Sequence, residues 1–146
     1  MSRLVTLEDG KKTQEFSLSE VSDWTEVAVR VRELLAPGTI VTLSGPLGAG
    51  KTTFVQALAQ ELGIRERPQS PTFALMRSYR LPKPVNGISR LVHVDAYRIE
   101  DERDFVTLDL DYELSDGKSV LMLEWPENVK GWLKKRALLK LLIQTV

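Results

Sequence analysis

Between an apolar stretch, residues 39–44 (TIVTLS), and an amphipathic one, residues 52–62, the chain carries Gly45-Pro-Leu-Gly-Ala-Gly-Lys51-Thr52. No other feature constrains the fold as tightly. Glycines permit backbone angles and close approaches that a side chain would block. Successive N–H groups turned inward form an anion nest, and a helix starting at its end adds the positive pole of its dipole. Lys51 supplies a full positive charge for the β- and γ-phosphates of a nucleotide, and Thr52 a hydroxyl suited to a magnesium ion. Every fixed position of G-x-x-x-x-G-K-[ST] is met, in the strand–loop–helix setting that the motif requires. At average glycine usage a chance match in a chain of this length is roughly one in 200. The segment is expected to cradle a triphosphate.

The surrounding pattern places that loop in an α/β domain. Residues 3–8 alternate and Asp9-Gly10 turns the chain, which predicts an edge hairpin reaching residues 16–18. Ser22 is suited to cap a helix with Trp24, Val27, Val31, Leu34 and Leu35 on one face, stopped by Pro37-Gly38. Residues 39–44 read as a strand, and 52–62 as a helix closed by Gly63. Residues 65–71 form a polar loop and 72–79 a strand. With two prolines and Asn86-Gly87, residues 81–87 are expected to be a turn or loose loop. Strands follow at 90–96, 119–124 and 138–146, with helical pieces at 99–104, 109–114 and 127–136. Strands alternating with helices imply a sheet that is at least partly parallel. The expectation is one domain, residues 1–146, with a three-layer P-loop NTPase-type fold around a central mixed sheet.

Composition excludes several classes. Twenty basic residues balance twenty acidic ones, so no global field draws the chain to DNA, RNA or a membrane surface. There is no cysteine, which excludes disulfides and thiolate metal sites. The first residues, MSRLVTLEDGKK, lack an apolar signal core, and no apolar run approaches a membrane span. A cytoplasmic protein is expected.

A magnesium–nucleotide site needs an acid near the end of a neighbouring strand. Glu124 ends the apolar run 120–123, and Asp95 ends Leu91-Val-His-Val. A carboxylate at the carboxyl end of a parallel strand faces the crevice where ligands bind. Either can hold the metal while the other orients the attacking water. His93, the only histidine, stands two residues before Asp95 and so faces the same side; a core role suits it better than a catalytic one. Arg98 is equally suited to touch phosphate or to pair with Glu100 or Asp101, and Trp125 reads as a packing residue. Ser70-Pro71-Thr72 lies where nucleotide hydrolases carry a switch that senses the γ-phosphate.

Four elements in order, GPLGAGKTT at Gly45, SPTF at Ser70, HVDAYR at His93 and LEWPE at Leu123, make the chain resemble the TsaE family, also called YjeE. These are bacterial P-loop ATPases of the tRNA threonylcarbamoyladenosine pathway. The resemblance implies that Gly48, Ala49, Gly50, Lys51, Thr52 and Thr53 bind ATP phosphates, with Thr52 also on Mg2+. It implies that Ser70, Pro71 and Thr72 form the first switch, that Asp95 is needed for hydrolysis and that Glu124 is a magnesium-associated acid. The family's adenine pocket lies partly near the first helix, which brings in Thr25. Expected partners are TsaD- and TsaB-type proteins, with tRNA reached only through that complex. The ATPase is expected to be slow alone and to support turnover without transferring the carbamoyl group itself.

Three other readings use the same loop. A small-molecule or nucleoside kinase would need an acceptor pocket and an arginine-bearing lid, to which Arg65, Arg67 or the 98–103 segment could contribute. A GTPase would need Asn-Lys-x-Asp, which is absent. A nucleotide-gated binding module would need no hydrolysis.

Overall fold

The computed structural model of the protein describes residues 2–68 and 76–146. A seven-stranded sheet forms its centre. In chain order the elements are β1 (Arg3–Glu8), β2 (Thr13–Leu18), α1 (Trp24–Leu34), β3 (Ile40–Ser44), α2 (Lys51–Glu61), β4 (Met76–Val85), β5 (Ile88–Asp95), α3 (Glu102–Val106), α4 (Leu110–Leu114), β6 (Ser119–Glu124), α5 (Lys130–Leu133) and β7 (Leu139–Thr145). The strand order is β2-β1-β7-β3-β6-β5-β4. The four inner strands β7, β3, β6 and β5 run parallel; the antiparallel hairpin β1–β2 extends the sheet beyond β7, and the antiparallel strand β4 extends it beyond β5.

Handedness explains the layers. From β3 the chain passes through α2 to the edge strand β4 and turns back along it into β5, skipping the place that β6 later fills. It then returns through α3 and α4 to β6, and through α5 to β7 on the far side of β3. Crossovers between parallel strands are right-handed, so an advance and a return must put their helices on opposite faces. The core divides accordingly. Val27 and Val31 of α1 and Phe54 and Leu58 of α2 pack with Val41, Leu91 and Met122 on one face. Phe105, Leu110 and Val129 pack with Val92, Val94 and Leu123 on the other. All six residues of β6 are buried, as befits a parallel strand covered on both sides. The expected three-layer arrangement around a mixed, partly parallel sheet is the one observed.

Local departures from expectation have local causes. Residues 81–87 do not form a loose loop. The strand β4 runs on through Pro82 and Pro84 to Val85, with a register shift between Arg80 and Val85. β4 is the sheet's edge, where a proline's missing N–H breaks no ladder. Only Asn86 (φ 52°) and Gly87 (φ 80°) turn the chain, the pair a two-residue hairpin favours. Ser22 does not cap α1. It lies within a 3-10 turn, Val21–Asp23, and Asp23 instead accepts hydrogen bonds from the backbone N–H groups of Ser19 (2.8 Å) and Glu20 (2.9 Å). Those bonds hold the Asp23 carboxyl below its ordinary pKa. The helix expected over 127–136 is split into a 3-10 turn, Pro126–Val129, and the single turn of α5. The first residues of the strand expected over 72–79 lie outside the described residues.

Candidate active site

The loop between β3 and α2 takes the shape that its glycines were expected to allow. Gly48 (φ 76°) and Gly50 (φ 112°) adopt left-handed angles, and Gly50 immediately precedes the first turn of α2. A Cβ on Gly50 would stand 2.6 Å from Cζ2 of Trp24, which is itself buried. Gly50→Ala therefore combines a clash with an unfavourable backbone angle. It is expected to cost about 1–3 kcal/mol, read as a lowered thermal midpoint; an unchanged midpoint would mean that Trp24 yields freely.

Lys51 heads α2 and folds back over the loop. Its ammonium donates to the carbonyls of Gly45 and of Pro46 (3.2 Å) and stands 4.1 Å from the centroid of the Trp125 ring. Only 6% of Lys51 is exposed. Burial lowers its pKa, and the nearby carboxylates of Glu124, Glu127 and Asp95 oppose that shift. Trp125 holds its place through a left-handed backbone (φ 60°) and a tilted contact with Tyr97, ring centroids 4.9 Å apart. From the opposite side Arg3 on β1 clasps the loop, its Nε donating to Ala49 O (2.7 Å) and its Nη2 to Gly48 O (3.2 Å).

The two carboxylates meet at the same place. In the parallel pair β5/β6, Asp95 is the direct partner of Glu124. A cleft of about 260 Å³ is lined by Gly48, Gly50, Lys51, Thr52, Thr53, Asp95, Tyr97, Glu124 and Trp125. Glu124 is 2% exposed, with Oε2 2.6 Å from His93 Nε2. Asp95 accepts a hydrogen bond on Oδ1 from Tyr97 N (3.0 Å). Burial raises the Asp95 pKa first, and the neighbouring Glu124 charge raises it further. Among the described residues, no cluster of three or more His, Cys, Asp or Glu is arranged to hold a metal by itself. Two carboxylates and the Thr52 hydroxyl are instead the partial, all-oxygen donor set that suits Mg2+, which takes its remaining ligands from phosphates and water.

The raised Asp95 pKa makes a stability prediction. Its folded value lies above the ordinary aspartate value of about 3.8, so the folded state holds its proton more tightly than the unfolded state. Stability is then lost as pH rises from about 3.8 through the raised value. Asp95→Asn removes that loss while keeping an acceptor for Tyr97 N. Its thermal midpoint should exceed that of the unaltered protein at pH 7, and the gap should close near pH 4. At this size each kcal/mol corresponds to roughly 2–4 °C. A gap that widens on acidification would contradict the assignment.

Most residues singled out from the sequence converge here: Gly48, Gly50, Lys51, Thr52, Thr53, Asp95 and Glu124 line one cleft. Gly45 accepts from Lys51, while Ala49 is the buried residue of the loop. Thr25 does not line this cleft. It borders a neighbouring one, about 600 Å³, with Val21, Trp24 and Gln56, and the two clefts share Thr53. Ser70, Pro71 and Thr72 lie outside the described residues. Arg98 is exposed, and Asp101 pairs with Arg103 (2.7 Å) instead. Sequence reasoning missed Arg3, for which no local signal exists. It also undervalued Trp125, whose position directly after Glu124 was the available clue.

Comparison with known proteins gives a consistent family. Residues 18–145 match the profile of "Threonylcarbamoyl adenosine biosynthesis protein TsaE". The chain is 38% identical over 128 residues to the tRNA threonylcarbamoyladenosine biosynthesis protein TsaE of Mycobacterium bovis, covering 84% of this chain and 74% of that one. It is 47% identical over 103 residues to the Streptomyces coelicolor protein of the same name, covering 70% and 66%. The crystal structure of Bacillus subtilis YdiB superposes with a TM-score of 0.67 at 26% identity, covering all of this chain and 80% of that one.

Proposed function

The chain belongs to the TsaE family of tRNA threonylcarbamoyladenosine biosynthesis, and from that premise we propose that it is a magnesium-dependent ATP hydrolase serving this modification. One observation carries the reading: a glycine cup headed by Lys51 opens onto the same cleft as two acids paired across adjacent parallel strands. The cup's N–H groups and the start of α2 favour a polyphosphate, and Lys51 is placed to leave the carbonyls of Gly45 and Pro46 for a phosphate oxygen. Thr52, Glu124 and Asp95 are the residues that would hold magnesium, which when bound neutralises developing phosphate charge. Of the two acids, Asp95 is the better placed to orient water. It is only partly buried and its pKa is raised, whereas Glu124 is committed through one oxygen to His93.

The nucleotide-sensing role of Ser70, Pro71 and Thr72 belongs to this proposal, as do TsaD- and TsaB-type partners and contact with tRNA only through them. Thr25 is proposed to approach the base from the adjoining cleft. The test is phosphate release from Mg-ATP by the purified protein, with and without TsaD and TsaB proteins. Slow release alone and faster release in their presence are expected. No release under either condition would overturn the reading, and phosphate recovered on a small acceptor instead of in water would favour a kinase.

A further inference from the structure

His93 is placed where packing alone gives no reason for it. Its neighbours Val92 and Val94 belong to the core beneath α3 and α4. Alternation therefore turns His93 toward the α2 face with Leu91. It is fully buried, and Nδ1 has no hydrogen-bond partner among the described residues. An unsatisfied buried nitrogen costs about 1–3 kcal/mol. An apolar side chain of similar volume would escape that cost. Among the described residues, what the imidazole gains is one polar contact, Nε2 to Glu124 Oε2 at 2.6 Å.

The geometry also selects the tautomer. With a lone ring proton on Nδ1, Nε2 would present a lone pair to a carboxylate oxygen at hydrogen-bond distance, and the Nδ1 proton would have no described acceptor. With the proton on Nε2, the ring donates to Oε2 and the contact is attractive. We infer that His93 is a positioning residue: its Nε2–H pins Oε2 of Glu124, so that the other oxygen is presented to the phosphate cleft in one fixed orientation. Glutamate has three side-chain torsions to fix, and among the described residues no other hydrogen bond reaches its carboxylate. The pair thus acts as a carboxylate and its orienting partner, in the manner of the outer groups that aim metal ligands. The inference rests on the proposed role of Glu124 in nucleotide hydrolysis.

Because His93 is the only histidine, long-range 15N–1H NMR of the labelled full chain reads one ring without assignment. A protonated Nε2 with a bare Nδ1, perturbed by Glu124→Gln, is expected; a protonated Nδ1 with a bare Nε2 overturns the inference. Two substitutions separate positioning from packing. His93→Leu fills the volume without a donor, and His93→Gln returns an amide N–H near the position of Nε2. The leucine variant should lose about 10- to 100-fold in kcat with KM for ATP little changed, and the glutamine variant should recover most of that loss. Equal losses in both variants, or a loss confined to KM, would overturn the inference. Should the leucine variant fail to fold, the glutamine variant and the NMR measurement decide. If the unaltered protein hydrolyses no ATP, the functional reading fails, while the NMR result still decides the His93–Glu124 contact.

Discussion

Lys51→Ala is expected to weaken ATP binding at least a hundredfold, the largest effect on affinity that any single substitution in this chain should produce. Removing one member of a buried, hydrogen-bonded charge pair costs about 2–5 kcal/mol, and each 1.4 kcal/mol is tenfold in affinity. Lys51 meets the condition, being 6% exposed and enclosed by Trp125 and the loop's carbonyls. Lys51→Arg should fare poorly as well, because a larger planar fork does not fit where a compact ammonium sits on the carbonyls of Gly45 and Pro46. Titration calorimetry with ATP gives the comparison. An affinity within a few-fold of the unaltered protein would mean that the nucleotide binds elsewhere. The folded state itself should survive, since the loop also hangs from Arg3 on its other side.

Glu124→Gln and Asp95→Asn should separate the two acids from the lysine. Each keeps side-chain volume and an acceptor but removes a negative charge from the cleft. Turnover is expected to fall by about 10²–10⁴-fold, with ATP affinity much less affected, because the phosphates are gripped by the cup and Lys51. Single-turnover assays at saturating ATP measure the loss. Normal turnover in both variants would place the chemistry outside this cleft. Asp95→Asn carries a second signature: the substitution that removes activity should stabilise the protein at neutral pH. Burial and the facing Glu124 make the Asp95 charge costly in the folded state. A damaged fold would show the reverse.

How much of this was legible in the sequence follows from the range of the interactions. The phosphate loop is defined by consecutive residues, and two of its glycines, Gly48 and Gly50, do take left-handed angles of the kind that only glycine adopts freely. Glu124 and Asp95 were visible singly, as acids ending apolar runs. That they stand side by side depends on β6 entering the sheet between β3 and β5, a matter of strand order and not of local pattern. The prolines at 82 and 84 misled because they ban a central strand but not an edge strand, and only the assembled sheet says which is which. Arg3 was invisible for the same reason in stronger form: its partners lie 45 and 46 residues further along the chain. His93 was read as a core histidine, and it is buried; its partner was legible only once β5 lay against β6.

The cleft joins two parts of very different stiffness. Asp95 and Glu124 end the inner strands β5 and β6, and β6 is buried along its whole length. Such strands open only when the whole domain opens. The 45–50 turn is tied down by a few side-chain bonds from Arg3 and Lys51, and three of its residues are exposed. Local opening at this cleft is therefore expected to begin in the turn and to leave the two acids in place, as a fixed anvil.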